Sequence, residues 1–221
     1  MDPSIVFVSG HYPAIDYSKK TRRTFDDYTK RHGYGYFYDD SIPTEKEMYQ
    51  LHFRRCLSIQ KAAEQFPTAD WYIWVDSDVF VNRPEERIES FIDLSDTTIL
   101  YHLFHELPWK YPINTGVKIV NKKALPYEKT IYDMRNDRRW KQFPYEQNVM
   151  AKFILKQIDT TKYKIHDPYV LNCIVRIHQK YIPNALFLHM CGMPANDRSN
   201  YINKFIRGRT QSSDAVPQSY S

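Results

Sequence analysis

The stretch Trp71-Tyr72-Ile73-Trp74-Val75 constrains this chain more than any other. Five continuous apolar residues are too few for a core helix, and a strand with one wet face would alternate apolar with polar. The run therefore reads as a central strand of a sheet covered on both faces. It ends in Asp76-Ser77-Asp78, which sets two carboxylates just past the C-terminal tip of a buried strand.

The remaining elements follow from period and punctuation. Ser4 to Ser9 is a β-branched and aromatic run closed by Gly10, a first strand feeding a loop. A helix is expected from Ser18 to Arg31, a strand from Tyr34 to Tyr38, and a long helix from near Thr44, where Thr44 and Glu47 make a capping box, to Phe66 before Pro67. Further helices are expected over Pro84–Ile92, Leu125–Arg135, Tyr145–Lys156 and Asn196–Ile206. Strands are expected over Thr97–His102, Gly116–Val120 and Ala185–Met190, with an irregular, proline-broken stretch between Leu103 and Pro112. Alternating strands and helices predict an α/β domain with a mainly parallel central sheet flanked by helices on both faces. Ligands of such sheets sit beyond the carboxyl ends of the strands, which groups Gly10, Asp76, Asp78 and His189. The expected domain covers residues 1–207, and the polar, aperiodic segment 208–221 reads as a disordered tail or a linker to further domains.

Composition narrows the setting. With 221 residues, 42% of them apolar and 15% aromatic, the chain has enough material for one core. No apolar run reaches the roughly 20 residues of a membrane helix, and Met1-Asp2-Pro3-Ser4 lacks the basic and apolar regions of a signal peptide. Three cysteines, Cys56, Cys173 and Cys191, cannot all pair, so buried free thiols and a cytoplasmic location are expected. The net charge of +5 is spread along the chain and favours anionic ligands only weakly.

Two carboxylates at i and i+2 in a turning segment can converge on one hard divalent cation. A cation bridging two phosphates would offset the charge that builds on a departing nucleoside diphosphate. The bland alternative for any isolated Asp-x-Asp is a solvated turn; the buried strand in front of it argues against that.

From Phe66 to Asp78 the sequence resembles glycosyltransferases of the GT-A fold, especially the retaining galactosyl- and xylosyltransferases of family 34. Further segments match in the same order: Arg55 on the preceding helix, Asn114-Thr115-Gly116, Glu146-Gln147 and His189-Met190-Cys191-Gly192. The opening MDPSIVFVSGHYP looks like the N-terminal domain of capsid-glycosylating enzymes of chlorella viruses, which implies a viral protein working in the host cytoplasm. The resemblance spans Ser4 to Gly192 and implies a single GT-A domain.

What the resemblance implies can be stated residue by residue. Asp76, Asp78 and His189 would bind Mn²⁺ or Mg²⁺, the imidazole suiting Mn²⁺ better. Ser9, Gly10, His11 and Tyr12 would wall the nucleobase pocket, with Tyr38 a second stacking candidate. Asp76, Ser77 and Gly192 would approach the diphosphate, Gly192 because a bare backbone allows close contact. Asn114, Thr115 and Gly116 would shape the sugar pocket; Glu146, Gln147 and Arg55 would serve catalysis. The substrates implied are a UDP-sugar donor and a glycan or glycoprotein acceptor, with no nucleic acid. Arg54 beside Arg55 reads as solvated, and Asp39 and Asp40 as turn acids. Many relatives carry a Lys where this chain has Ala195, so Arg198 or Lys204 is the candidate phosphate clamp. Two rival readings are a metal-dependent nucleotidyltransferase or nuclease, and a non-catalytic carbohydrate-binding domain. The first lacks a P-loop and a third acid for a second metal, and the second would not need the acids.

Overall fold

Alternate side chains of the WYIWV strand enter two different cores. Trp71, Ile73 and Val75 pack with Phe7, Phe25 and Tyr28 on one face of the sheet, and Tyr72 and Trp74 pack with Phe53, Ile59 and Ile131 on the other. Burial on both faces is what removes the polar positions from this strand. The computed structural model describes residues 4–44, 51–107, 111–140 and 142–213.

In chain order the elements are β1 (Ile5–Gly10), α1 (Asp16–His32), β2 (Gly35–Asp39), α2 (Arg54–Gln65), β3 (Trp71–Val75), β4 (Val79–Val81), β5 (Tyr101–Phe104) and β6 (Asn114–Asn121). They continue with α3 (Leu125–Asp133), α4 (Glu146–Val149), β7 (Tyr163–His166), β8 (Cys173–Ile174), β9 (Phe187–His189) and α5 (Ala195–Ser213). The central sheet has the order β2-β1-β3-β6-β5-β7. β1 runs parallel to β2 and β3, and β5 to β7, while β6 runs antiparallel to β3 and β5. The fold is the α/β arrangement expected, mainly parallel, with α1 against one face and α2 and α3 against the other. A small second sheet, β4-β9-β8, carries its own core around Phe80, Leu188 and Ile202. Among the described residues no helix is long and apolar enough to cross a membrane.

Several expected elements differ, each for a local reason. Residues 84–92 form turns and one 3-10 turn, Ile88–Ser90, instead of a helix. Two carbonyls that would close that helix are taken by α1: Tyr28 Oη donates to Glu86 O at 3.0 Å, and His32 Nε2 lies 2.8 Å from Pro84 O. The strand expected from Thr97 begins at Tyr101, because the Asp96 carboxylate accepts from the Thr98 amide and hydroxyl and holds a turn there. The helix expected over 145–156 is α-helical only to Val149 and continues as a π turn, Met150–Ile154. α2 begins at Arg54 after a 3-10 turn, Leu51–Phe53, and the capping-box residue Glu47 lies outside the described residues. The last helix runs to Ser213, six residues into the expected tail, and 214–221 lie outside the described residues.

Candidate active site

The turn Asp76–Asp78 joins the two sheets. Asp76 N donates to Gly116 O at 2.7 Å, the last ladder bond to β6, and Met190 N donates to Asp78 O at 3.0 Å, a bond to the chain leaving β9. Each acid is thus pinned to a different sheet, with the Ser77 carbonyl between them accepting from Thr21 Oγ1 of α1 at 2.7 Å. His189 ends β9 opposite Val79. One ligand atom each from Asp76, Asp78 and His189 lies within 4.8 Å of the others.

The donor set, two carboxylates and an imidazole, fits a Mn²⁺-like ion, and the hydrogen bonds behind it fit as well. Gly116 N donates to Asn114 Oδ1 at 2.8 Å, and Asn172 Nδ2 donates to the same oxygen at 3.0 Å. That orients the Asn172 amide so its oxygen faces His189 Nδ1 at 2.8 Å, placing the ring proton there. Nε2 is the ring nitrogen left to face the acids, 3.3 Å from Asp78 Oδ1. Gly116 is required by space: a Cβ there would lie 2.2 Å from His189 Cε1.

Asp78 is also paired with Arg198, Nη2 to Oδ2 at 2.9 Å. Burial alone would raise its carboxyl, but His189 and Arg198 bring it down to about 2. Of the two candidate clamps, Arg198 reaches the site and Lys204 sits exposed on α5 away from the cavity.

Arg55 crosses the floor of the same cavity, of about 460 Å³. Its guanidinium meets Asp76 Oδ1 at 3.3 Å, Glu146 Oε1 at 3.0 Å and Thr115 Oγ1 at 2.7 Å. Trp74 Nε1 donates to the same Asp76 oxygen at 2.7 Å. Thr115 Oγ1 donates to Glu146 Oε1 at 2.5 Å, and Gln147 spans from the Thr115 amide to Glu106 Oε2. Burial pushes the Glu106 carboxyl up despite those donors. Tyr145, just before Glu146, has φ 52°, a conformation costly for a non-glycine residue. Its ring is clamped flat against His52 at 4.3 Å.

Gly10, His11 and Tyr12 line the cavity, as do Ser77, Asn114, Thr115 and Gly116. Gly10 lets β1 touch β2, since a Cβ would lie 2.5 Å from Asp39 O. Ser9, Tyr38 and Gly192 do not line it. Ser9 is buried on the strand before Gly10, and Tyr38 packs under the Arg22 guanidinium at 4.2 Å. Gly192 serves a turn at φ 71°, its carbonyl accepting from Arg176.

Two minor readings need correction. The Arg54 side chain is 11% exposed and bonded to Asp39 at 3.1 Å, so it is not a solvated surface charge. Asp39 is more than a turn acid: it caps the turn at the Ser41 amide, and although burial opposes its ionisation, Ser41, Ser58, Arg54 and Lys61 bring its carboxyl down to about 2.

Residues 9–138, more than half of the chain, match the galactosyl transferase GMA12/MNN10 family. The chain belongs to that family. This glycosyltransferase also superposes on a solved structure described as a glycosyltransferase involved in the glycosylation of the major capsid of PBCV-1. The two are 47% identical, with 91% of this chain and 100% of that chain covered and a TM-score of 0.88. A second structure, described as A197 from STIV, is 9% identical over 55% of this chain and 66% of that chain, with a TM-score of 0.38, too low to bear on the fold. No curated protein matches the sequence.

Glu106 and Asp39 complete the lining of the glycosyltransferase's cavity and Asn172 stands buried behind His189, and sequence reading did not single them out for it. Asn172 carries no motif and reaches His189 only through the pairing of β8 with β9. Asp39 had a signal, an acid ending a strand beside the one that ends in Gly10.

Proposed function

We propose that this glycosyltransferase moves a sugar from a UDP-sugar to a hydroxyl of a glycan acceptor, in a metal-dependent reaction that retains the anomeric configuration. The observation that carries this reading is the convergence of Asp76, Asp78 and His189 at one end of a cavity that also holds Arg55, Glu146 and Gln147. A Mn²⁺ or Mg²⁺ ion held by that trio supplies Lewis-acid stabilisation of the leaving diphosphate. Arg198 and Arg55 add fixed positive charge, Arg198 standing in for the lysine some relatives carry at position 195. Gly10, His11 and Tyr12 line the end assigned to the uracil.

The acceptor hydroxyl oxygen bonds to the anomeric carbon on the face that the diphosphate leaves. The bond from that carbon to the diphosphate breaks with its electron pair on the diphosphate, whose oxygen takes the hydroxyl proton. Glu146 acts by positioning in this scheme. Its Oε1 is shared by Arg55 and Thr115, which weakens it as a nucleophile. Gln147 lies under the reacting face. A glycan of a viral capsid protein is the acceptor proposed, by similarity to the PBCV-1 enzyme. The cytoplasm of the host is the compartment proposed, and three free cysteines support it.

The test is a panel of UDP- and GDP-sugars with and without Mn²⁺, read by nucleotide release, protection against unfolding and the anomeric configuration of the product. Metal-dependent release from a UDP-sugar with retention is expected. Equal release without metal, tighter GDP binding, or an inverted product would each remove one part of the reading.

A further inference from the structure

The two ends of the cavity differ in chemistry. The end at Asp76, Asp78, His189 and Arg198 is charged. The rim beside Glu146 is built from Leu51 and His52 on one side and Phe143, Pro144 and Tyr145 on the other. Phe143 is 62% exposed and Leu51 42%, an unusual outlay of apolar surface at the mouth of a polar cavity. His52 covers one face of Tyr145, the two rings stacked 4.3 Å apart. Tyr145 and Tyr111 each meet Phe143 edge-on, at 6.1 Å and 5.6 Å, with interplanar angles of 89° and 79°. These contacts fix the Phe143 ring while leaving it exposed.

We propose that this rim is the acceptor subsite, and that it takes a neutral pyranose, its apolar C–H face laid on Phe143 and a hydroxyl directed to the donor beside Glu146 and Gln147. The proposal rests on the glycosyl-transfer reading above and adds the acceptor's chemistry to it. An aromatic face attracts the weakly positive C–H groups of a sugar ring and excludes water from them. A charged peptide or an anionic sugar would gain little from the apolar side chains of Leu51, Phe143 and Pro144 and the ring of Tyr145. The donor's diphosphate belongs at the opposite, charged end. Strain also marks the rim: Tyr145, with its positive φ, links the apolar ring of Phe143 to the polar Glu146 within four residues of chain.

Saturation-transfer NMR on the whole protein with Mn²⁺ and UDP, using neutral methyl pyranosides and methyl glucuronide as probes, tests this. Neutral pyranosides should receive saturation from aromatic protons, and methyl glucuronide should not. Phe143→Ala and Phe143→Leu should weaken the pyranoside by roughly two- to tenfold, the loss of one ring contact, whereas Phe143→Trp should retain it. UDP affinity by calorimetry should be the same in all three variants. A drop in UDP affinity in Phe143→Ala would mean that the rim holds the donor's base, and would overturn the assignment. So would pyranoside binding that survives Phe143→Ala, or no pyranoside binding by a wild-type protein that binds UDP. Failure of the wild type to bind UDP at all would instead remove the donor reading on which the assignment stands.

Discussion

Arg55 and Cys56 are neighbours on α2, and Thr115 and Lys118 are near neighbours on β6, yet they belong to two ionic clusters of opposite character. Arg55 is 11% exposed and divides its charge between Asp76 and Glu146 on the cavity floor. Lys118 is sealed at 1% exposure and meets one carboxylate, Glu128 Oε2 at 2.7 Å, with Cys56 Sγ 3.7 Å away. Among the described residues the other Glu128 oxygen accepts no hydrogen bond. Under the function proposed, the cavity cluster can redistribute when a diphosphate and a metal arrive, because Asp76 and Glu146 each have more than one partner. The sealed pair has no such freedom: its desolvation cost is offset only while both charges are present. Neighbouring residues thus face an open cavity in one place and a sealed core in the other.

Breaking each cluster should produce opposite phenotypes. Asp78→Ala should abolish metal-dependent UDP binding in calorimetry while leaving cooperative unfolding intact, since a ligand to the diphosphate's counter-ion is lost. Unchanged UDP affinity would refute the metal assignment. Glu128→Ala should do the reverse, costing about 3–5 kcal/mol in denaturant unfolding by leaving Lys118 uncompensated, with UDP affinity of the folded protein preserved. Lys118→Met combined with Glu128→Leu should recover most of that loss, and a double variant as unstable as Glu128→Ala would show that the pair is more than a matched charge.

A smaller effect tests how far the cavity cluster extends. Asn172→Ala removes the acceptor that holds the proton on His189 Nδ1. It should weaken Mn²⁺ binding by about 10- to 100-fold, as outer partners of metal ligands commonly do. Mn²⁺ affinity equal to wild type would show that the amide only fills space.

The mildest test uses pH on the sealed side. Burial and the neighbouring His166 and Lys164 charges lower His102 to about 3, well below the usual 6.5. Its stabilising contribution is complete above the unfolded value and is lost as pH falls towards 3, because the unfolded chain binds the proton first. His102→Phe should flatten the decline of stability between those limits. An unchanged slope would place the acid sensitivity in other groups.

The sequence by itself determined the fold class and the placing of Asp76 and Asp78 at a strand tip, because both depend on local signals; the resemblance added His189, and the three converge in the structure. WYIWV has no polar position for a wet face, and the acids that follow it fall where parallel sheets place ligands. The motif residues Arg55, Asn114–Gly116, Glu146, Gln147 and His189 likewise gather in one cavity. Tertiary structure alone decided which polar residues stand behind them. Asn172 meets His189 through a short strand pairing, Glu106 meets Gln147 across 41 residues, and Arg54 turned to Asp39 instead of water. It also decided that 84–92 would not be a helix, since α1 captures the carbonyls a helix needs. Such bonds join segments distant in the chain, and no periodicity within either segment records them.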